Sequence, residues 1–241
     1  MVSTTAKTDD SAAGSVDLGG SSYRPGPLGA TGSVAGTIKL DGTPPPGPAK
    51  TTIDEPVCGT KSDSPVTVAP KTGALSNAIV WVADVKTGKP FPMDKRAELA
   101  TQRCELEPRV QAVVLGATVN VFNDDKSLHR LVFTPIGTHD TLTVMPFFNT
   151  GQVVASELLS KSSGIVEVRC ARHPWMRGYI AVFDHPYFAV TESDGSFKID
   201  SLPPGTYRMM VWHEGMAKPV EQRVTVAANG TAKVNLGVQV R

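Results

Sequence analysis

"VEVRCARHPWMRGYIAVF", residues 166–183, sets two apolar runs of strand character on either side of a short turn that holds Cys170, His173 and Met176. Alternation through Val166 and Val168, and the β-branched and aromatic run after Gly178, give the strands. The same pattern continues upstream. "PRVQAVVLGATVNVFNDD" (108–125) reads as strand, turn at Gly116, strand, and a loop at Asn123, Asp124 and Asp125, and "LHRLVF" (128–133) resumes the sheet. "TLTVMPFFNTGQVV" and "GIVEVRC" add further strands, so residues 106–184 are expected to form a β-sandwich or barrel.

Composition agrees with an all-β chain. The 241 residues include 22 Gly and 19 Pro, and no long 3.6-period stripe is visible, so helix should be minor. A net charge of +1 from mixed signs, with no basic run among aromatics, excludes nucleic acid as a partner class. No run of 18 apolar residues is present to span a bilayer as a helix. "MVSTTAKTDDSAAGSVDLGG" lacks the basic and apolar regions of a secretory signal, so either a signal is already removed or the protein stays inside.

Residues 1–32 carry too few apolar groups to offset ordering alone, and form an arm expected to be flexible or to lie along a partner. Residues 33–105 form an N-terminal β segment, with strands in "SVAGTIKL" and "NAIVWVADV" and a polar, helix-permissive stretch, "MDKRAELATQRC", at 93–104. Residues 185–241 alternate between turn signals at Asp194-Gly195, Pro203-Pro204-Gly205 and Asn229-Gly230, which predicts a small antiparallel sandwich.

The turn at 170–176 offers a thiolate, an imidazole and a thioether, a soft donor set that suits copper better than magnesium or calcium. A trigonal His₂Cys site with a weak axial Met needs a second histidine, and His129 is the candidate, opening the strand after the "NDDKS" loop. Cys58 and Cys104 are either a disulfide, which would indicate an oxidising compartment, or two buried free thiols; a zinc site from this pair and a stray histidine is a weaker option. His213 and Glu214 in "VWHEGM" suit a structural role, with a second metal or a docking contact as the functional version. His139 stands alone, and His185 before Pro186 reads as a surface or capping residue. Met145, Pro146, Phe147 and Phe148 are core by default, or join Pro174 and Trp175 in an apolar patch around His173. No nucleophile elbow, phosphate loop or Cys-x-x-Cys pair occurs, so hydrolase, nucleotide and zinc-ribbon readings have no support.

"CARHPWMRGYIAV", with "LHRLVF" upstream, resembles the copper loop of the cupredoxins, and the two-residue gaps on either side of His173 look most like the amicyanin type. The resemblance implies a cupredoxin-like Greek-key sandwich with a second, smaller antiparallel sandwich. It also implies one type 1 copper held by His129, Cys170, His173 and Met176, with His173 as the exposed ligand. The family pattern usually places Asn or another small polar residue after the first histidine, tying the two ligand segments together; here the residue is Arg130. "TESDGSFKIDSLPPGTYRMMVWHE" and "GTIKLDGTPPP" resemble carboxypeptidase regulatory-like, transthyretin-like modules, joined to a cupredoxin loop in bacterial proteins of the methylamine-utilisation type. The module is then either one sandwich split around an inserted cupredoxin, or 33–105 is a separate cap.

The function these likenesses imply is single-electron transfer outside the cytoplasm, in the periplasm, and not an enzymatic reaction. The partner would be a c-type cytochrome, a quinoprotein dehydrogenase or a membrane electron-transfer complex. The alternative is a docking subunit of a membrane-associated respiratory or photosynthetic complex in which copper is optional.

Overall fold

The structure, a computed structural model, describes residues 16, 18, 22–44, 46, 49–62, 68–69 and 72–240. Most of the predicted arm, 1–32, lies outside the described residues. Among those described, Leu18 is buried, and Arg24–Pro25 runs parallel to Thr87–Gly88.

The chain first gives β1 (Arg24–Pro25), β2 (Gly32–Leu40), the single-turn helix α1 (Glu55–Cys58), β3 (Ile79–Val82) and β4 (Thr87–Gly88). The middle gives β5 (Arg96–Gln102), β6 (Glu105–Glu107), β7 (Val110–Val114), β8 (Ala117–Asn123), β9 (His129–Pro135), β10 (Thr143–Phe147), β11 (Gln152–Leu159), β12 (Gly164–Cys170) and β13 (Arg177–Phe183). The last part gives β14 (Phe188–Val190), β15 (Ser196–Leu202), β16 (Gly205–Trp212), β17 (Val220–Val226) and β18 (Thr231–Val238). No described helix is long and apolar enough to cross a membrane.

Two sandwiches result. The middle one packs a sheet of order β10-β9-β12-β13-β7 on a sheet of order β11-β8-β5-β6. The other packs β14-β3-β16-β17 on β15-β2-β18, and is antiparallel except where β18 runs parallel to β2. This second sandwich therefore draws strands from both ends of the chain, with 96–183 between them. The segment 33–105 does not act as one unit, because β2 and β3 pair with the C-terminal strands while β5 and β6 pair into the middle sandwich.

The helix-permissive stretch at 93–104 is a strand and a turn. Ala97, Leu99 and Thr101 point inward at period two, and β5 lies parallel to β8, so tertiary pairing overrides local propensity. Arg103 and Cys104 both take positive φ, 53° and 55°, making the tight turn that leads into β6.

Burial explains the two most apolar strands. On β3, Val80 and Val82 face the second sandwich's core while Ile79 and Trp81 face a separate cluster with Tyr179, Ala181, Phe183 and Trp212. On β13, Ile180 and Val182 enter the middle core, and Tyr179, Ala181 and Phe183 enter that same cluster. Strands covered on both faces read as continuous apolar runs, and these two form the seam between the sandwiches.

Candidate metal centre

Alternation delivers the first histidine. On β9, His129, Leu131 and Phe133 face inward and are fully buried, so the ligand side chain continues the core face. On β12, Val166, Val168 and Cys170 face inward, and Cys170 pairs with Leu131, two residues along β9 from His129 and on the same face. The turn after Cys170 is closed by its own backbone: Cys170 N–H donates to Met176 O at 3.0 Å, and Met176 N–H to His173 O at 2.9 Å. Ala171 N–H donates to Arg130 O at 2.8 Å and ties the turn to β9. The Arg130 side chain points to solvent, so the tie between ligand segments is made by its backbone instead of a small polar side chain.

Three donor atoms converge. His129 Nδ1 and His173 Nδ1 are 3.0 Å apart, and Cys170 Sγ lies 3.8 and 3.5 Å from them. Such separations suit ligands sharing one ion at bond lengths of about 2.0–2.3 Å. All three are at most 4% exposed. Met176, 1% exposed, lies in the same core cluster as Cys170 and Trp175, on the loop that carries two of the donors.

The other nitrogen of each imidazole is held by a carboxylate. His129 Nε2 is 3.0 Å from Asp125 Oδ2, and His173 Nε2 is 3.0 Å from Asp54 Oδ2. A carboxylate only accepts, so both Nε2 atoms carry hydrogen and both Nδ1 atoms face the centre, as a lone pair in the neutral ring and as a donor to the thiolate where the ring is protonated. Two lone pairs 3.0 Å apart beside a thiolate repel unless a cation or proton sits among them, and this donor set fits a soft, monovalent or divalent copper ion. Burial pushes the Cys170 thiol up, but hydrogen bonds from His129, His173 and backbone N–H groups win and bring it down to about 5. For His129, burial pulls down while the bonds to Asp125 and Cys170 raise it to about 8.

The surroundings correct one expectation. His173 is not an exposed ligand: it is 0% exposed, because the segment ahead of α1 lies over it. Asp54 Oδ2 reaches its Nε2, Arg172 pairs with Asp54 through two bonds of 2.7 Å, and Ser127 Oγ donates to Asp54 at 3.0 Å. Cys58 and Cys104 form a disulfide that anchors this segment, with Cys58 Sγ 4.0 Å from His173 Nε2. Both sulfurs are thereby used, which removes the zinc reading of the pair. Trp175 packs its ring 4.9 Å from that of His173 and donates from Nε1 to Cys104 O at 2.7 Å. Phe147 is buried opposite His129, while Phe148 is 64% exposed.

Asp54 and Asp125 were not among the candidates read from the sequence. Asp125 had a signal, four residues ahead of His129 in the Asn/Asp loop; Asp54, 119 positions from His173, had none. The remaining histidines stay apart from the centre. His213 is fully buried with Glu214 paired to Arg109, and His139 is exposed. His185 is 1% exposed and not a surface residue; its Nδ1 accepts from Tyr187 N–H at 3.2 Å, a local turn bond.

The fold is all-β, a larger sandwich joined to a smaller one. Residues 179–239 match the carboxypeptidase regulatory-like domain, a stretch running from β13 to the end of β18. Comparison with curated protein sequences gives no match. Among solved structures, a Cu-containing nitrite reductase from Thermus scotoductus SA-01 is 20% identical over 44% of this chain and 25% of its own, at a TM-score of 0.33; this chain thus spans about a quarter of its length. A purple cupredoxin from Nitrosopumilus maritimus is 20% identical over 36% of this chain and 98% of its own, at 0.30. Amicyanin from Paracoccus versutus is 22% identical over 38% and 83%, at 0.31.

Proposed function

We propose that this chain is an extracytoplasmic type 1 copper protein that passes single electrons between redox partners, with His129, Cys170 and His173 as the strong ligands and Met176 as the weak axial one. The observation that carries this reading is the meeting of two imidazole Nδ1 atoms and one thiolate within a buried, pre-organised cluster. Copper, when bound, supplies a one-electron couple. The chain's part is to hold the donors rigidly, so little rearrangement accompanies electron gain or loss. The disulfide supports an oxidising, periplasmic location.

The exposed apolar side chains Leu128 and Phe148, next to His129 and its cross-strand neighbour Phe147, offer a surface on which a redox protein can approach. A c-type cytochrome, a quinoprotein dehydrogenase or a membrane electron-transfer complex is the partner class this reading takes. Bond-making chemistry is left to those partners.

The test is to add Cu(II) to the purified metal-free chain. An intense visible thiolate-to-copper band, absent in Cys170→Ser, is the expected result; no band would sink the reading. The covered edge of His173 favours a second reading, a docking subunit of a membrane-associated complex with copper optional. That reading expects no band and recovery within a large assembly.

A further inference from the structure

Asp54 is placed against local preference. It occupies the position before α1 where an aspartate ordinarily accepts a hydrogen bond from the first helical turn, yet it makes no side-chain cap. Its backbone is left-handed, φ 52° and ψ 32°, a conformation that Asp tolerates less easily than Gly. The carboxylate is instead turned away from the helix to His173, Arg172 and Ser127. Two forgone local preferences at one residue indicate that these distant contacts fix its orientation. The disulfide four residues later anchors the same segment to the turn between β5 and β6.

We infer that Asp54 is a positioning residue for the metal centre, orienting His173 from outside as Asp125 orients His129, and closing the centre against solvent. The inference rests on the proposed copper function and goes beyond it by assigning this role to a residue outside the middle sandwich. Three consequences follow from the geometry. The Asp54 carboxylate fixes the Nε2–H form of His173 and keeps Nδ1 free for the ion. Its negative charge makes the imidazole a stronger donor, which favours the more highly charged metal state. Its pairing with Arg172 holds the segment over the ring, so external ligands have no path along the His173 edge.

The experiment compares the full chain with Asp54→Asn and Asp54→Gly. Both residues accept the left-handed backbone, and circular dichroism with thiol titration confirms fold and disulfide. In Asp54→Asn, Arg172 retains the side-chain oxygen and the amide N–H₂ turns toward His173. Long-range ¹⁵N–¹H NMR on metal-free protein should then show His173 shifting from the Nε2–H toward the Nδ1–H form. Alkylation of Cys170 by iodoacetamide should be faster in Asp54→Gly. Affinity for Co(II) and Cu(II) should fall about 10- to 100-fold in both variants. The reduction potential should rise by about 59 mV for every tenfold by which Cu(II) binding is weakened more than Cu(I) binding.

An unchanged His173 tautomer with metal affinity within twofold of the parent overturns the inference. Failure of the parent chain to bind copper instead overturns the proposed function, and the metal-free tautomer and alkylation measurements still decide the role of Asp54.

Discussion

Arg109 and Glu214 join the two sandwiches through paired bonds of 2.7 and 2.8 Å, with the glutamate side chain 2% exposed. Arg109 leads into β7 of the middle sandwich and Glu214 follows β16 of the other. Removing one partner of a buried pair leaves the other charge uncompensated, at a cost of about 3–5 kcal/mol, lowered here toward roughly 2–3 because Arg109 is partly hydrated. Glu214→Ala should therefore destabilise strongly in urea, and the double variant with Arg109→Met should recover part of the loss. A Glu214→Ala chain that unfolds at the parent's urea midpoint would show that the pair contributes nothing to joining the sandwiches.

Stability should fall as pH drops from about 6.5 toward 4. Burial, the main cause at both sites, holds His185 and His213 down to about 4, with Arg109 adding to the effect at His213. Between 4 and the unfolded value of about 6.5, the unfolded chain binds more protons than the folded one, so each ring's contribution is complete above 6.5 and lost as pH falls. Each contributes roughly 3 kcal/mol over that window. Urea midpoints at pH 7.5, 5.5 and 4.5, taken in a Cys170→Ser background to remove the thiol's titration, should decline steadily. A flat profile would show that neither ring is held neutral.

The disulfide closes a loop with a sequence separation of 46, which corresponds to about 2–4 kcal/mol of stabilisation. Cys58→Ser with Cys104→Ser should lower the melting temperature while leaving the strands of the middle sandwich in place, because the α1 segment is tied to that sandwich from outside its sheets, through this bond, Asp54 and the Lys61–Glu105 ion pair. Alkylation of Cys170 should accelerate in the double variant. Equal alkylation rates would mean that the segment stays over His173 without its anchor.

Much of this arrangement was legible in the chain. Period-two alternation marks the strands, and on β9 it carries His129 to the core face with Leu131 and Phe133. Cys170, His173 and Met176 sit on one closed turn, so their proximity follows from local chemistry. What escaped the sequence depends on non-local pairing. Charged Arg96 and Glu98, next to Ala97 and Leu99, permit a helix, and the parallel neighbour β8 makes that segment a strand. The burial of His173 requires a segment 119 positions earlier in the chain to cross the centre. Arg130, a departure from the family pattern, is outward-facing, with its carbonyl oxygen doing the tying.

Asp125 carries both a ligand and the anchor of the covering segment. Its Oδ2 accepts from His129 Nε2 at 3.0 Å and from Cys104 N–H at 2.9 Å, and burial, which alone would raise its carboxyl, is outweighed by these bonds. Asp125→Ala would leave two buried donors without their acceptor, a cost of about 1–3 kcal/mol for each. Asp125→Asn retains an oxygen for one of them and should be milder. The expected outcome is a graded series, Ala below Asn below parent, in the urea stability of metal-free protein, with Cu(II) affinity reduced about 10- to 100-fold in both variants. If stability fell and affinity stayed at the parent value, Asp125 would hold the β5–β6 turn without orienting His129.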